Sequence, residues 1–68
     1  MRRIRVNGEP RSVEPPLSVE ALVASLVADV GDGVAVALNG EIVHRTRWHE
    51  TEVHDGDDVE IVRAVQGG

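Results

Sequence analysis

The stretch with the clearest chemical potential is Gln66-Gly67-Gly68, which places a free α-carboxylate after two residues without side chains. Terminal glycines pack against nothing and lose much conformational entropy when ordered, so core stability gives no reason for them. A backbone this slim can instead be threaded through a narrow channel. The one reactive group that such a tail would deliver is the α-carboxylate of Gly68. A frayed terminus without function is the competing interpretation.

Length and composition favour one small domain that binds neither nucleic acid nor membranes. The 68 residues lie near the lower limit for a core without staples, and the chain has no cysteine. Twelve acidic against seven basic residues give a formal charge of −5, which disfavours nucleic acid or an anionic membrane as partner. No apolar run approaches the roughly 18 residues that span a bilayer, and no signal peptide is evident. A cytoplasmic protein is expected.

The first residues predict a β-hairpin. Ile4 and Val6 alternate with arginines, as in a strand with one buried face. Asn7-Gly8 follows, and this pair favours a type I′ turn because both central positions need positive φ. Residues 9–13 form the return strand. That strand should lie at a sheet edge, because Pro10 cannot donate a ladder hydrogen bond.

A helix is predicted from Ser18 to Gly31. Ser18 can cap its first turn, Glu20 suits the positive end of its dipole, and Gly31 can end it in a left-handed conformation. Apolar residues recur at intervals of three and four, which gives one buried stripe. The stripe comprises Val19, Leu22, Val23, Leu26, Val27 and Val30.

The second half of the chain predicts three more strands. Residues 34–38 are almost continuously apolar, as in a strand near the sheet interior, and Asn39-Gly40 turns them toward a short strand at 41–43. Residues 44–52 show no period and are interpreted as an irregular crossing. The final strand, 58–65, can lie parallel to the first in the sheet centre. The order of elements predicts an α+β fold, with one main helix across one face of a mixed four- to five-stranded sheet.

Two clusters and the single tryptophan could suggest other sites. Histidines spaced by five residues fit neither one helix face nor one strand face, so they are expected on the surface and no metal site is expected. The acids of residues 55–58 lack the glutamate of a calcium loop, and a solvated turn is expected. Trp48 is expected to cover one end of the core. The histidines are His44, His49 and His54, and the acids are Asp55, Asp57 and Asp58.

In their order along the chain, several short motifs make the sequence resemble the ThiS family, the sulfur carriers of thiamine biosynthesis with a ubiquitin-like β-grasp fold. A terminal Gly-Gly alone is shared by all sulfur carriers and ubiquitin-like modifiers. One departure is His44, where a proline is expected before Arg45. The motifs are residues 4–9 and 18–19, Leu22, Leu26, residues 33–39, Val43, Arg45, Trp48, and residues 55–57, 59–62 and 64–68.

The resemblance implies a carrier without an active site or bound cofactor of its own. A ThiF-type adenylating enzyme, using ATP and Mg²⁺, would activate Gly68. Sulfur from a cysteine desulfurase pathway would convert it to a thiocarboxylate, which a ThiG-type thiazole synthase would consume. Residues 1–65 would form the domain and residues 66–68 a flexible tail. In that tail Gly68 would be the covalently modified residue, and Gly67 and Gln66 would be threaded behind it. Partners would dock on the sheet face that the helix leaves open, and Arg63, Ala64 and Val65 are the candidate docking residues.

Two other functions remain open at this point. One is the small subunit of molybdopterin synthase, in which a similar tail inserts permanently into a catalytic partner. The other is a ubiquitin-like protein modifier, or an interaction domain with an inert tail. Residues 64–66 before the glycines, Ala-Val-Gln, favour the thiamine carrier.

Overall fold

The computed structural model describes residues 2–27 and 33–63, which form a five-stranded mixed sheet with one helix. The strand order is β2-β1-β5-β3-β4, and only β1 and β5 are parallel neighbours. The predicted α+β fold and the central pairing of first and last strands are confirmed. In chain order the elements are β1 (Arg2–Val6), β2 (Glu9–Val13), α1 (Val19–Leu26), β3 (Val34–Leu38), β4 (Glu41–Val43), a 3₁₀ turn (Arg45–Arg47) and β5 (Asp58–Arg63).

Both Asn-Gly pairs form the predicted hairpin turns. Asn7 and Gly8 have φ values of 52° and 83°, and Asn39 and Gly40 have 52° and 85°. These are the left-handed values that a type I′ turn requires at its two central positions. β2 lies at the edge of the sheet. The backbone N–H that Pro10 lacks therefore does not interrupt hydrogen bonding between two inner strands.

One contiguous core lies between α1 and the inner face of the sheet. Leu22, on the helix, is 2% exposed, and Val59, on the central strand β5, is fully buried. The same cluster includes Trp48 from the predicted irregular crossing, and Val53, which sequence periodicity did not assign to the core. Its buried members are Ile4, Val6, Val19, Leu22, Val23, Val27, Val36, Trp48, Val53 and Val59.

The predicted helix end was wrong, because α1 stops at Leu26. Val27 has extended backbone angles (φ −118°, ψ 115°) although its N–H still donates to the carbonyl of Val23. Val27 is nevertheless buried, so an apolar stripe continues past the helix without the backbone remaining helical. In the last turn the Ser25 hydroxyl donates to the carbonyl of Leu22 at 2.7 Å, a local bond that competes with helical geometry. The predicted cap at Gly31 lies outside the described residues.

The crossing between β4 and β5 is tied to the start of the helix. The Val19 N–H donates to the carbonyl of Thr51, and the Val53 N–H donates to that of Leu17, both at 2.8 Å. Trp48 is 3% exposed, and its indole N–H donates to the carbonyl of Val43 at 2.9 Å. The interpretation of Trp48 as a residue that covers the core is confirmed.

An exposed ion pair joins β1 to this crossing and makes stability depend on pH. The Arg2 guanidinium donates to Glu52 at 2.7 Å and also to the carbonyl of Val53. This hydrogen bond, assisted by the positive charge of Arg2, holds the pKa of Glu52 below its ordinary value. A carboxyl whose pKa is lower in the folded state stabilises the fold above its unfolded-state pKa. That contribution is lost as the pH falls through the lowered, folded-state pKa.

We therefore expect Glu52→Gln to lower the urea midpoint slightly near neutral pH, because an exposed pair contributes little. The difference between Glu52→Gln and the unsubstituted chain should shrink as the pH falls through the folded-state pKa of Glu52. Urea titrations across the acid range measure both. A constant difference at every pH would show that the Arg2–Glu52 pair is not its source.

Candidate functional site

The last strand, β5, presents a different set of side chains to each face of the sheet. Val59 is buried beneath the helix and Ile61 is half-buried against the same core. Glu60 and Val62 alternate with them and are exposed on the opposite face. The strand that leads to the glycines therefore runs through the sheet centre with one open face.

An apolar strip crosses this open face. Across the strands Ala37 is the partner of Ile42, and Ala35 is the partner of Val62. Ile42 is 67% exposed and Val62 59% exposed, and they are the exposed large hydrophobic residues among residues 2–27 and 33–63. The four residues form what we name the outer-face strip. Exposed apolar groups collected on one face of so small a domain make the outer-face strip the candidate contact surface.

Charged side chains border the outer-face strip on its β1 side. Arg3 and Arg5 alternate with the buried residues of β1, and Asp58 and Glu60 do the same on β5. Arg5 and Asp58 are direct neighbours across the parallel pair. Positive and negative side chains lie side by side, so this border can direct a partner's orientation without attracting polyanions.

The structure places Arg63 away from the outer-face strip. Strand alternation puts its side chain on the same side as Ile61, where it lines a groove with Leu26 and Val27 at the end of the helix. The open sheet face carries the outer-face strip, which includes Ile42 and Val62. Cross-strand register, rather than distance from the terminus, identifies these two residues. Arg63 as a docking residue stays a prediction. Ala64, Val65, Gln66, Gly67 and Gly68 lie outside the described residues, and their roles stay predictions.

The turn before β5 is held together by one of its acids. Asp57 accepts hydrogen bonds from the backbone N–H of His54 at 2.7 Å and from the side-chain amide of Asn39 at 3.0 Å. Its side chain is 15% exposed, although Asp55 and Asp58, the other two acids of residues 55–58, are exposed, as expected. Asp55 accepts a hydrogen bond from the N–H of Arg3 at 2.7 Å. These acids order the entry into β5 by accepting backbone hydrogen bonds.

The three predicted surface histidines are exposed, as expected. His54 lies 3.7 Å from a carboxylate oxygen of Glu52 and 4.0 Å from one of Asp57. Within the described part of the chain, no three histidine or acidic side chains are arranged to hold a metal ion. The helix in the described residues, eight residues long, is also too short to cross a membrane.

Comparison with known protein families shows to which family this chain belongs. The model of the ThiS family matches residues 4–68, which include the strands, the helix and the two glycines. The chain belongs to the ThiS family. ThiS-family proteins are small sulfur carriers of thiamine biosynthesis and are not themselves enzymes. The β-grasp fold expected from the motifs is thereby confirmed.

Solved structures and curated relatives agree with this family. The crystal structure of a ThiS thiamine biosynthesis protein from Geobacter metallireducens is similar, with a TM-score of 0.80, 37% identity, and coverage of 97% of this chain and 99% of that one. The thiazole synthase of Paramagnetospirillum magneticum is 39% identical over 66 residues, 97% of this chain. This chain spans only 20% of that protein's length. The uncharacterized protein ycf40 of Porphyra purpurea is 34% identical, over 96% of this chain and 90% of its own.

Proposed function

We propose that this ThiS-family chain carries sulfur as a thiocarboxylate on Gly68 and donates it for thiazole formation. The observation that carries the proposal is the family match, which extends through Gly67 and Gly68. A thiazole synthase that contains a segment similar to nearly the whole chain supports thiazole synthase as the partner, since that segment and the rest of the synthase belong to one polypeptide.

The chemistry begins from an unreactive anion. A free α-carboxyl has a pKa of about 3.3–3.7, so at neutral pH Gly68 is a carboxylate and a poor electrophile. In an adenylating enzyme of the ThiF type, a carboxylate oxygen attacks the α-phosphorus of ATP and pyrophosphate leaves, with Mg²⁺ neutralising the phosphates. The product is an acyl-adenylate, whose carbonyl carbon is electrophilic.

Sulfur replaces the adenylate in the next step. A sulfur nucleophile from a cysteine desulfurase pathway attacks the carbonyl carbon, a C–S bond forms, and AMP leaves with the electron pair of the broken C–O bond. If the sulfur arrives as a persulfide, a thiol reduces the remaining S–S bond. The chain contains no cysteine and no lysine, so neither a thiol nor an ε-amine of its own competes for the activated carbonyl.

The outer-face strip is the proposed docking surface for these enzymes. It lies on the open side of β5, and its member Val62 precedes Gly68 by only six residues in the sequence. ATP, Mg²⁺ and the desulfurase act at the enzymes, and the carrier provides the docking surface and the carboxylate.

Val62→Glu should weaken binding to the adenylating enzyme by at least about tenfold, because it would bury an unpaired charge at an apolar contact. Ala24→Glu is the matched control, since Ala24 is exposed on the helix and receives the same charge away from the strip. Titration calorimetry measures both affinities, and circular dichroism checks that both variants are folded. Equal affinities for the two variants would remove the outer-face strip from the interface.

The function itself is tested by sulfur transfer from the loaded carrier. Carrier loaded with labelled sulfur is mixed with thiazole synthase and its small substrates, and the labelled thiazole product is measured by mass spectrometry. The large subunit of molybdopterin synthase with its own substrate is the parallel reaction. Label in thiazole alone is expected. Label in the molybdopterin product alone would assign the chain to that alternative. Attachment of the chain itself to other proteins' lysine side chains through the Gly68 carbonyl, with release of the labelled sulfur, would indicate a modifier.

A further inference from the structure

The side chain of Asn7 extends the central pairing beyond the end of β1. The parallel partners end at Val6 and Val59, and the chain then turns at Asn7-Gly8. The Asn7 N–H donates to the carbonyl of Val59 at 2.9 Å. Its side chain then bonds both main-chain groups of Ile61: Oδ1 accepts from the N–H at 2.8 Å, and Nδ2 donates to the carbonyl at 3.2 Å. The side-chain amide of Asn7 thus makes the pair of hydrogen bonds to Ile61 that β1, which ends at Val6, cannot make.

Asparagine meets both demands of this position. The turn requires a left-handed backbone, and Asn7 has φ 52°, a value that asparagine tolerates better than most residues. The two hydrogen bonds to Ile61 require one acceptor and one donor at the end of a short side chain, and the carboxamide of asparagine provides both. Aspartate at this position would keep the acceptor and lose the donor, and glycine would keep the backbone conformation and lose both.

The second hairpin repeats the arrangement at the opposite end of β5. Asn39 has the same φ of 52°, and its N–H donates to the carbonyl of Asp58 at 2.7 Å. Its Oδ1 accepts from the N–H of Asp58 at 2.9 Å, and its Nδ2 donates to Asp57. Asn39 therefore holds the start of β5 from the β3 side. Asn7 holds β5 at Ile61, two residues before Arg63, which is the last residue of the strand.

We propose that Asn7 is a positioning residue that sets the direction in which the chain leaves β5 toward Gly68. The inference rests on the proposed function, because it concerns how the carboxylate reaches an adenylating enzyme. Beyond Ile61 the described strand is paired only with β3, through Ala35 with Val62 and Val34 with Arg63. On the β1 side of β5, the side-chain amide of Asn7 makes the last hydrogen bonds to the main chain of the strand within residues 33–63. A fixed exit direction reduces the ordering cost when the following residues enter an active site.

The matched variants Asn7→Gly and Asn39→Gly test this role. Glycine adopts positive φ without strain, so each variant keeps its turn and loses only the amide that holds β5. Amide hydrogen exchange followed by NMR is the first measurement. Exchange of the Ile61 N–H should accelerate in Asn7→Gly alone, and exchange of the Asp58 N–H in Asn39→Gly alone.

Kinetics of pyrophosphate release by an adenylating enzyme of the ThiF type are the second measurement. Asn7→Gly should raise KM for the carrier roughly three- to tenfold, the factor expected for ordering one additional segment, with kcat unchanged. Asn39→Gly should stay within about twofold of the unsubstituted chain, because it acts at the far end of the strand. Asn7→Asp, which keeps the acceptor for the Ile61 N–H, should lie between them.

An unchanged KM in Asn7→Gly, together with faster exchange at Ile61, would overturn the positioning role. An equal rise of KM in both glycine variants would also overturn it, because the effect would then follow general loss of strand order. A lack of pyrophosphate release from the unsubstituted chain would instead overturn the proposed function, and with it the kinetic part of this inference. The three results are distinguishable within one set of assays.

Discussion

Removal of Gly68 should lower sulfur loading by at least about 100-fold and leave the thermal midpoint unchanged. The deletion moves the carboxylate to Gly67 and shortens the reach by one residue, about 3.3–3.6 Å. A displacement of this size removes the alignment between the carboxylate and ATP, and even smaller misplacements cost about two orders of magnitude in rate. Loading is measured by intact mass after incubation with ATP, an adenylating enzyme and a sulfur source.

Gly68→Ala is the control that separates the carboxylate from the shape of the backbone. It keeps the chain length and the carboxylate and adds one methyl group. A loss of loading in the deletion alone would assign the effect to reach. Loss in both variants would show that the channel also requires a residue without Cβ. A parallel fall of loading and of the thermal midpoint in the deletion would contradict the proposal, because Gly68 would then contribute to folding.

Leu22→Ala should reduce the free energy of unfolding by about 2–5 kcal/mol, the range for emptying a fully buried leucine site. Leu22 is 2% exposed and lies in the core shared by α1 and the sheet. A domain of this length has a total stability of about 3–10 kcal/mol, so the loss is a large fraction of it. Urea denaturation followed by circular dichroism measures the change.

Leu26→Ala is the matched control, because the same substitution occurs four residues later on the same helix. Leu26 is only half-buried, at the last helical position. Its loss should be smaller, since less apolar surface is removed from the core. Equal losses for the two variants would show that the helix packs on the sheet in a different rotation from the one described.

Local signals in the sequence predicted most of the fold. The two Asn-Gly pairs located both hairpin turns, because a type I′ turn restricts the residues that fit it. Pro10 identified the edge strand, and the position of the helix between strands implied that it covers one face. These features depend on neighbouring residues, or on a single layer of packing, and such dependencies are visible in a linear pattern.

Features that depend on distant residues were not predicted. The helix end was wrong because Val27 reaches the same core from an extended backbone. The outer-face strip arises from the register between β3, β4 and β5, so Ile42 and Val62 come together only in the sheet. The hydrogen bonds of Asn7 to Ile61 join residues 54 positions apart. The domain boundary at residue 65, the tail of residues 66–68 and the cytoplasmic location stay predictions.

The central claim is that Gly68 carries sulfur, and mass spectrometry of the loaded protein tests it most directly. After incubation with ATP, Mg²⁺, an adenylating enzyme and a sulfur source, the chain should gain the mass difference between sulfur and oxygen. Fragmentation should place that gain on Gly68, and the gain should be absent without ATP. Since the sequence has no cysteine, no side-chain thiol can take up the sulfur instead. An unchanged mass, or a gain located away from Gly68, would contradict the account.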